Sequence, residues 1–409
     1  MGDVTLERVA RESYGKLVAF LAARTRDVAG AEDALSEAFA AALVDWPKNG
    51  VPRNPEGWLL TVARRKQIDA LRLRQTADGA ADHLRFLSEM ASAQSESESS
   101  LPDERLALMF TCAHPAIDAG IRAPLILQTV LGFDAATIAS AFLIAPSTMG
   151  QRLVRAKNKI KQAGIPFRVP ERDELAPRLD AVLDAIYATY TEGWSDPSGT
   201  EARRRNLADE AIWLGRLVAS LLPEEPEALG LLSLMLHTHA RRDARRSQDG
   251  EYVPLSRQDP SLWDAEMIDE AEAVLMRASR CGRTGRYQLE AAVQSAHVVR
   301  RSTGRSDWDA IERLYGALLS ITGSPVVAIN RAVVIAETRG AAVALEALDE
   351  LKGDARLNEY QPYWAARATL LAQLGQIDDA DAAYQRAIGL EREPAVRNFL
   401  QQRRDALRT

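Results

Sequence analysis

The segment Gly132–Lys161 constrains the fold more than any other part of this chain. Ala136, Ile138, Ala139 and Phe142 fall at helical spacing and predict a short packing helix. Ala145-Pro146-Ser147-Thr148 interrupts it, with Pro146 suited to the first position of a second helix, where its missing N–H costs nothing. From Pro146 to Arg168 the chain carries six basic residues (Arg152, Arg155, Lys157, Lys159, Lys161 and Arg168) and no acid. A helix that packs, followed by a helix that presents cations, is what entry into a DNA groove requires. On the second helix, Thr148, Gln151, Arg152 and Arg155 share one face, with Ser147 beside them, and can reach base edges. Lys157, Lys159 and Lys161 stand further along and suit phosphates, while Leu153, Val154 and Ile160 are expected on the packing side.

The net charge of −6 over 409 residues means that any affinity for nucleic acid rests on local patches. Alanine and leucine dominate, few segments alternate with period two, and an all-α fold is expected. The two cysteines, Cys112 and Cys281, form no disulfide framework and suit a reducing cytoplasm. No apolar run reaches membrane-spanning length, and no secretory leader is visible. Cys112 with His114 offers too few ligands for a metal, and His237 and His239, two apart on a helix, point away from each other. No nucleophile–base set or phosphate loop stands out, so neither an enzyme nor a cofactor is expected. Arg241-Arg242 and Arg245-Arg246 form a basic cluster that could face DNA or the acidic linker, with a solvated helix end as the simpler reading.

Residues 5–76 read as helices with one turn-rich loop, Trp46–Pro55. The third helix, Gly57–Arg74, is apolar at Trp58, Leu59 and Val62 and basic at Arg64, Arg65, Lys66 and Arg72. The loop, with Arg53, Asn49 and Asn54, and this helix could hold an unstacked base and its backbone. Trp58 as a core residue, and the cations as a solvated face, are the plainer alternatives. Residues 77–104 read as an acidic flexible linker containing the low-complexity stretch Ser92–Ser100. A second small helical domain spans 105–165, ended by Gly164-Ile165-Pro166, and a helical domain spans 170–409. Within the latter, Trp364, Leu371, Gly375, Ala380, Tyr384 and Ala387 follow the spacing of a tetratricopeptide unit, and Gly340 lies 35 residues before Gly375. Plain antiparallel helix pairs are the alternative.

Ala31-Glu32-Asp33-Ala34-Leu35 and Trp58-Leu59-Leu60-Thr61-Val62-Ala63-Arg64-Arg65, in this order before the basic helix, resemble the motifs of an extracytoplasmic-function sigma factor of the sigma-70 family. Residues 5–76 resemble region 2, which binds core polymerase and the −10 element, and 105–165 resemble region 4, which binds the −35 element. The C-terminal half resembles the subgroup with a tetratricopeptide-like extension, on Phe110–Pro115, Tyr190–Trp194 and Ala211–Leu217. The resemblance implies core RNA polymerase (the β′ coiled coil and β flap) and promoter DNA as partners, with a further protein partner for the repeat domain. It implies Glu32, Asp33, Leu35 and Glu37 as the polymerase-binding set; a bland alternative makes the acids dipole partners in a helix's first turn. A helix-turn-helix regulator with a ligand- or protein-binding repeat domain is the competing function, and a peptide-binding scaffold a third.

Overall fold

The computed structural model describes residues 2–75, 103–142, 144–194, 202–391 and 393–407. Among these, every regular element is a helix, apart from one isolated antiparallel bridge between Arg246 and Tyr252. The chain divides into two units, Met1–Gly193 with Arg203–Ala211, and Trp194–Ala202 with Ile212–Thr409.

The first unit opens with α1 (Gly2–Thr25), α2 (Val28–Asn49) and α3 (Pro55–Gln75). Between α1 and α2 the chain turns within two residues. Arg26 takes the left-handed conformation at φ 53°, a costly one for a side chain. Asp27 then caps α2 by accepting from the Gly30 N–H at 3.0 Å. Leu17, Phe20, Leu21, Leu35, Ala38 and Leu59 fill the core between the three helices. The expected loop at Trp46–Pro55 is shorter than the prolines suggested. Helix α2 runs through Pro47 to Asn49, because a proline in the last turn removes only one hydrogen bond and Trp46 is buried beneath it. The loop proper is 50–54, and Asn54 ends it as a cap, its Oδ1 accepting from Gly57 N–H at 2.9 Å. Of the acidic linker expected at 77–104, all but Asp103 and Glu104 lies outside the described residues.

Four helices follow: α4 (Arg105–Cys112), α5 (Ala119–Leu131), α6 (Ala135–Ala141) and α7 (Pro146–Gln162). Helix α5 ends in a Schellman turn: Gly132 is left-handed at φ 74°, and Phe133 N–H reaches Leu127 C=O at 3.2 Å. Asp134 caps α6 through the N–H groups of Ala136 and Thr137, both at 2.9 Å. On α6, Ile138 and Ala139 are buried but Ala136 is exposed, so the expected apolar face is narrower. Helix α7 buries Met149, Leu153, Ala156 and Ile160, a stripe at three- and four-residue steps. Val154 was expected on that side and is exposed, since one residue past Leu153 the helix has turned about 100° away.

The two segments expected to be separate DNA-binding modules pack together. Helix α1 lies against α4 and α5, and α2 lies against α7. At Gly15 the backbones touch: a Cβ there would sit 2.1 Å from the Val130 carbonyl oxygen. Helix α8 (Arg172–Trp194) also belongs here as far as Gly193, so the C-terminal unit begins later than the expected boundary at 170. Arg178 on α8 donates to the Phe110 carbonyl at 3.2 Å, a bond that composition could not reveal.

Helix α9 (Ala202–Leu221) spans the division. The second unit centres on α10 (Pro226–His239), apolar on all sides and packed on α11 (Ala265–Arg280) and α12 (Arg286–Val298). Gly230 permits the crossing, since a Cβ would stand 2.5 Å from Gln288 N. The Glu227 carboxylate of α10 caps α12, accepting from Tyr287 N–H at 3.0 Å and Gln288 N–H at 3.1 Å. After the single turn α13 (Arg300–Thr303) come α14 (Trp308–Thr322), α15 (Pro325–Arg339), α16 (Ala341–Asp349), α17 (Gln361–Gln373), α18 (Ile377–Leu390) and α19 (Pro394–Asp405). Helices α15 and α16 form one hairpin and α17 and α18 another. Gly340 and Gly375, at φ 90° and 72°, stand in the respective turns. Leu371, Ala380, Tyr384 and Ala387 are buried in one cluster, with Trp364 packed against it. The basic cluster read as a solvated helix end is partly turned inward: Arg241 is buried beside Trp263, and Arg246 pairs with Glu393 of the C-terminal segment.

Candidate nucleic-acid and polymerase interface

Three sets of predicted residues lie on the first unit. On α3, Arg65 and Lys66 are exposed, and Arg64 is half-buried with its guanidinium 5.1 Å from the Phe20 ring centre. The side chain of Arg72 lies outside the described residues. Arg53 is exposed in the loop, as is Asn54, whose oxygen is committed to its own helix. Trp58 is half-buried and meets Trp46 edge to face at 5.6 Å, which joins the loop's beginning to the start of α3.

On α7, Ser147, Gln151, Arg152, Arg155 and Lys159 are exposed and Thr148 is half-buried. Steps of three, four and seven residues bring Arg152, Arg155 and Lys159 within about 60° of one another around the helix. Together with Asp118 and Ile121 from the start of α5 they line a cleft of about 450 Å³. Lys157 does not share this face. It stands about 140° from Arg152, and its Nζ donates to Glu32 Oε2 on α2 at 2.6 Å. One turn further on, Lys161 donates to Asp27 Oδ2 at 2.6 Å. Both outer members of the lysine series are therefore ion-paired, and Lys159 alone of the three joins the arginines.

The acidic set on α2 also divides. Asp33 and Glu37 are exposed, and Glu37 pairs with Lys66 of α3 at 2.8 Å. Leu35 is fully buried and packs within its own unit; it is a core residue and has no surface to offer a partner. Glu32 is buried as well, its side chain 10 % exposed and that of Lys157 11 %. Burial pushes the Glu32 carboxyl above its ordinary range, and the neighbouring ammonium of Lys157 pulls it back. Burial likewise raises the Tyr14 phenol, with the Glu32 and Asp33 charges adding to it. The sequence could have separated Lys157 from its neighbours by its five-residue step from Arg152. It held no sign of what Lys157 would meet, because Glu32 is 125 residues away.

Cys112 is buried and shares a hydrogen-bond contact with Thr129 at 3.5 Å; burial pushes its thiol up to about 12. The His114 ring accepts from Ala116 N–H at 3.1 Å and so closes the following turn. Among the described residues no group of three or more His, Cys, Asp or Glu could hold a metal ion, and no helix is long and apolar enough to cross a membrane.

Comparison with known proteins adds three findings. Residues 9–76, which are α1 to α3, match sigma-70 region 2. Residues 178–279 match a family of unknown function, DUF6596. The chain is also 38 % identical over 410 residues to "Uncharacterized protein R00370" of Rhizobium meliloti (strain 1021), covering 99 % of this chain and 95 % of that one. No solved structure matches it.

Proposed function

Since the chain belongs to one family with the Rhizobium meliloti protein and begins with a sigma-70 region 2 domain, we propose that it is an RNA polymerase sigma factor of the extracytoplasmic-function type. The observation that carries this reading is the sigma-70 region 2 match on α1–α3, where α3 turns Arg65 and Lys66 outward. The exposed cations of α7 in the same unit support a second DNA contact.

In this reading the protein performs no covalent chemistry. Core polymerase is held through the exposed acids of α2, Asp33 and Glu37. Leu35 supports that surface from beneath, and Glu32 joins it once released from Lys157. The loop 50–54 and the cations of α3 engage the −10 region, where a base leaves the stack at a cost of a few kcal/mol. Cationic support along the backbone offsets part of that cost. Helix α7 reads the −35 region: Arg152, Arg155 and Gln151 suit base edges, with Ser147 and Thr148 at the first turn and Lys159 on phosphate. The C-terminal hairpins act as a tetratricopeptide-like domain that regulates or stabilises the factor and binds a further protein. The glycine turns 35 residues apart and the buried repeat positions support that assignment.

The deciding experiment is transcription from a cognate promoter with purified core polymerase, together with capture of core enzyme by the wild type and by Asp33→Lys with Glu37→Lys. A sigma factor directs core-dependent initiation, and the reversed acids lose core capture. Tight promoter binding without any engagement of core would instead favour a helix-turn-helix regulator.

A further inference from the structure

Trp263, His297, Trp308 and Tyr315 converge on one cavity of about 280 Å³ within the C-terminal unit. Its walls are the end of α12, the turn α13, the helix α14 and one face of α15, and the segment before α11 completes it. We propose that this cavity is a binding site for a small aromatic carboxylate, with Arg300 as the contact for the anion. The proposal goes beyond the sigma-factor reading and does not depend on it.

The charge of Arg300 is the first support. Its guanidinium donates to the carbonyls of Leu255 and Ser256, each at 3.0 Å, and to that of Gln258. Those bonds use three of its five donors, and the acceptors are neutral. No carboxylate pairs with Arg300 among the described residues, so the cavity wall carries an uncompensated cation. An unmet donor is the second support. Trp263 is 4 % exposed, and its indole N–H is buried with no acceptor among the described residues, which costs free energy until one arrives. The guanidiniums of Arg241 and Arg300 lie 5.9 Å and 5.4 Å from the Trp263 ring centre, so both favour an anion beside it. The walls are the third support. Trp308 meets the His297 ring edge to face at 5.8 Å. Burial, with the charges of Arg241 and Arg300, holds that imidazole down at about 4, so at neutral pH it is an uncharged aromatic wall. On α15, Asn330, Val333, Val334 and Glu337 fall at steps of three, four and seven residues and line the cavity together. Val333 is 45 % exposed, an apolar surface that a planar ring would cover. Glu337 is exposed and has no cationic partner among the described residues. It leaves room for the single charge held by Arg300 and disfavours the second charge of a phosphate ester. The volume, at the lower end for ligand cavities, suits one ring system with a short acid arm.

The test is calorimetric titration of the full chain with four probes: indole-3-acetate, phenylacetate, tryptamine and phenyl phosphate. Tryptamine carries the same ring as indole-3-acetate with the opposite charge, and phenyl phosphate replaces the carboxylate of phenylacetate by a dianion. The wild type is expected to bind indole-3-acetate at one site and to melt at a higher temperature in its presence. Tryptamine is expected to bind at least about tenfold more weakly than indole-3-acetate, and phenyl phosphate more weakly than phenylacetate. Two variants act on the site by different means. Arg300→Gln removes the charge, and Val333→Trp fills the cavity from an exposed position without touching the bonds of Arg300. Each is expected to weaken indole-3-acetate at least about tenfold. If Arg300→Gln fails to fold for want of its carbonyl bonds, Val333→Trp decides alone. The proposal is overturned if neither carboxylate binds the wild type saturably at millimolar concentration, or if the folded variants bind indole-3-acetate as the wild type does. Tryptamine or phenyl phosphate binding as tightly as its carboxylate counterpart would overturn the assignment of the ligand class.

Discussion

Lys157 and Glu32, 125 residues apart, meet at 2.6 Å with each side chain about nine-tenths buried. A surface ion pair contributes little, but a buried one is costly to break on one side only, since a charge is then left without its partner. Lys157→Met is therefore expected to destabilise the contact between α2 and α7 by about 3 kcal/mol. The double change Lys157→Met with Glu32→Leu is expected to recover most of that loss. Hydrogen exchange of the α2 and α7 amides in the full chain measures both, and unaltered protection in the single variant would contradict the pairing.

The faces of α7 predict unequal effects along its cations. Arg152→Ala and Arg155→Ala should each cost about 1–3 kcal/mol in promoter binding and relax base preference at one position. Lys159→Ala should weaken binding evenly across sequences and flatten its salt dependence by about one counterion. Lys157→Ala should change DNA affinity less than Lys159→Ala, because its side chain points toward α2. Titrations of the free protein at several salt concentrations distinguish the three.

In the C-terminal unit, Glu227 supplies the cap that α12 lacks in its own sequence, where Gly285 precedes the helix with no side chain to offer. Glu227→Ala should cost about 1–2 kcal/mol, by analogy with the loss of an N-cap. Glu227→Gln should lose less, since its amide oxygen still accepts one bond. Thermal unfolding of the two variants gives the ranking, and an equal loss would show that charge against the helix dipole is the larger contribution.

Two histidines give this unit an acid sensitivity. Burial, with the charge of Arg241 adding to it, holds the His237 ring down at about 4. His297 is also held at about 4, by burial and by Arg241 and Arg300. A folded value below the unfolded one near 6.5 means that the unfolded chain binds more protons between these limits. The stabilisation is complete above pH 6.5 and is lost as pH falls toward 4. For His237 the loss is on the order of 3 kcal/mol at the lower limit. Melting temperatures from pH 7 to 4 should fall, and His237→Gln should flatten the slope; a slope unchanged by that substitution would remove His237 as its source.

Local sequence determined the helices and most of their ends. Asp27, Asp118, Asp134 and Asp264 are caps because a short carboxylate satisfies free N–H groups within its own turn. Gly132, Gly340 and Gly375 end helices because a left-handed or otherwise positive φ suits a residue without Cβ. The exposed face formed by Arg152, Arg155 and Lys159 follows from the 3.6-residue period. These relationships span a few residues, so a linear reading reaches them. The tertiary structure decided which of the remaining charges are free. Lys157 and Lys161 read as phosphate contacts until α7 packs on α2, and Glu32 reads as exposed until Lys157 covers it. Gly15 carries no local signature, because its role is defined by the carbonyl of Val130 across the helix crossing. Each of these depends on residues more than 100 positions apart, and pairings at that separation are set by how whole helices pack and by no pattern within either one.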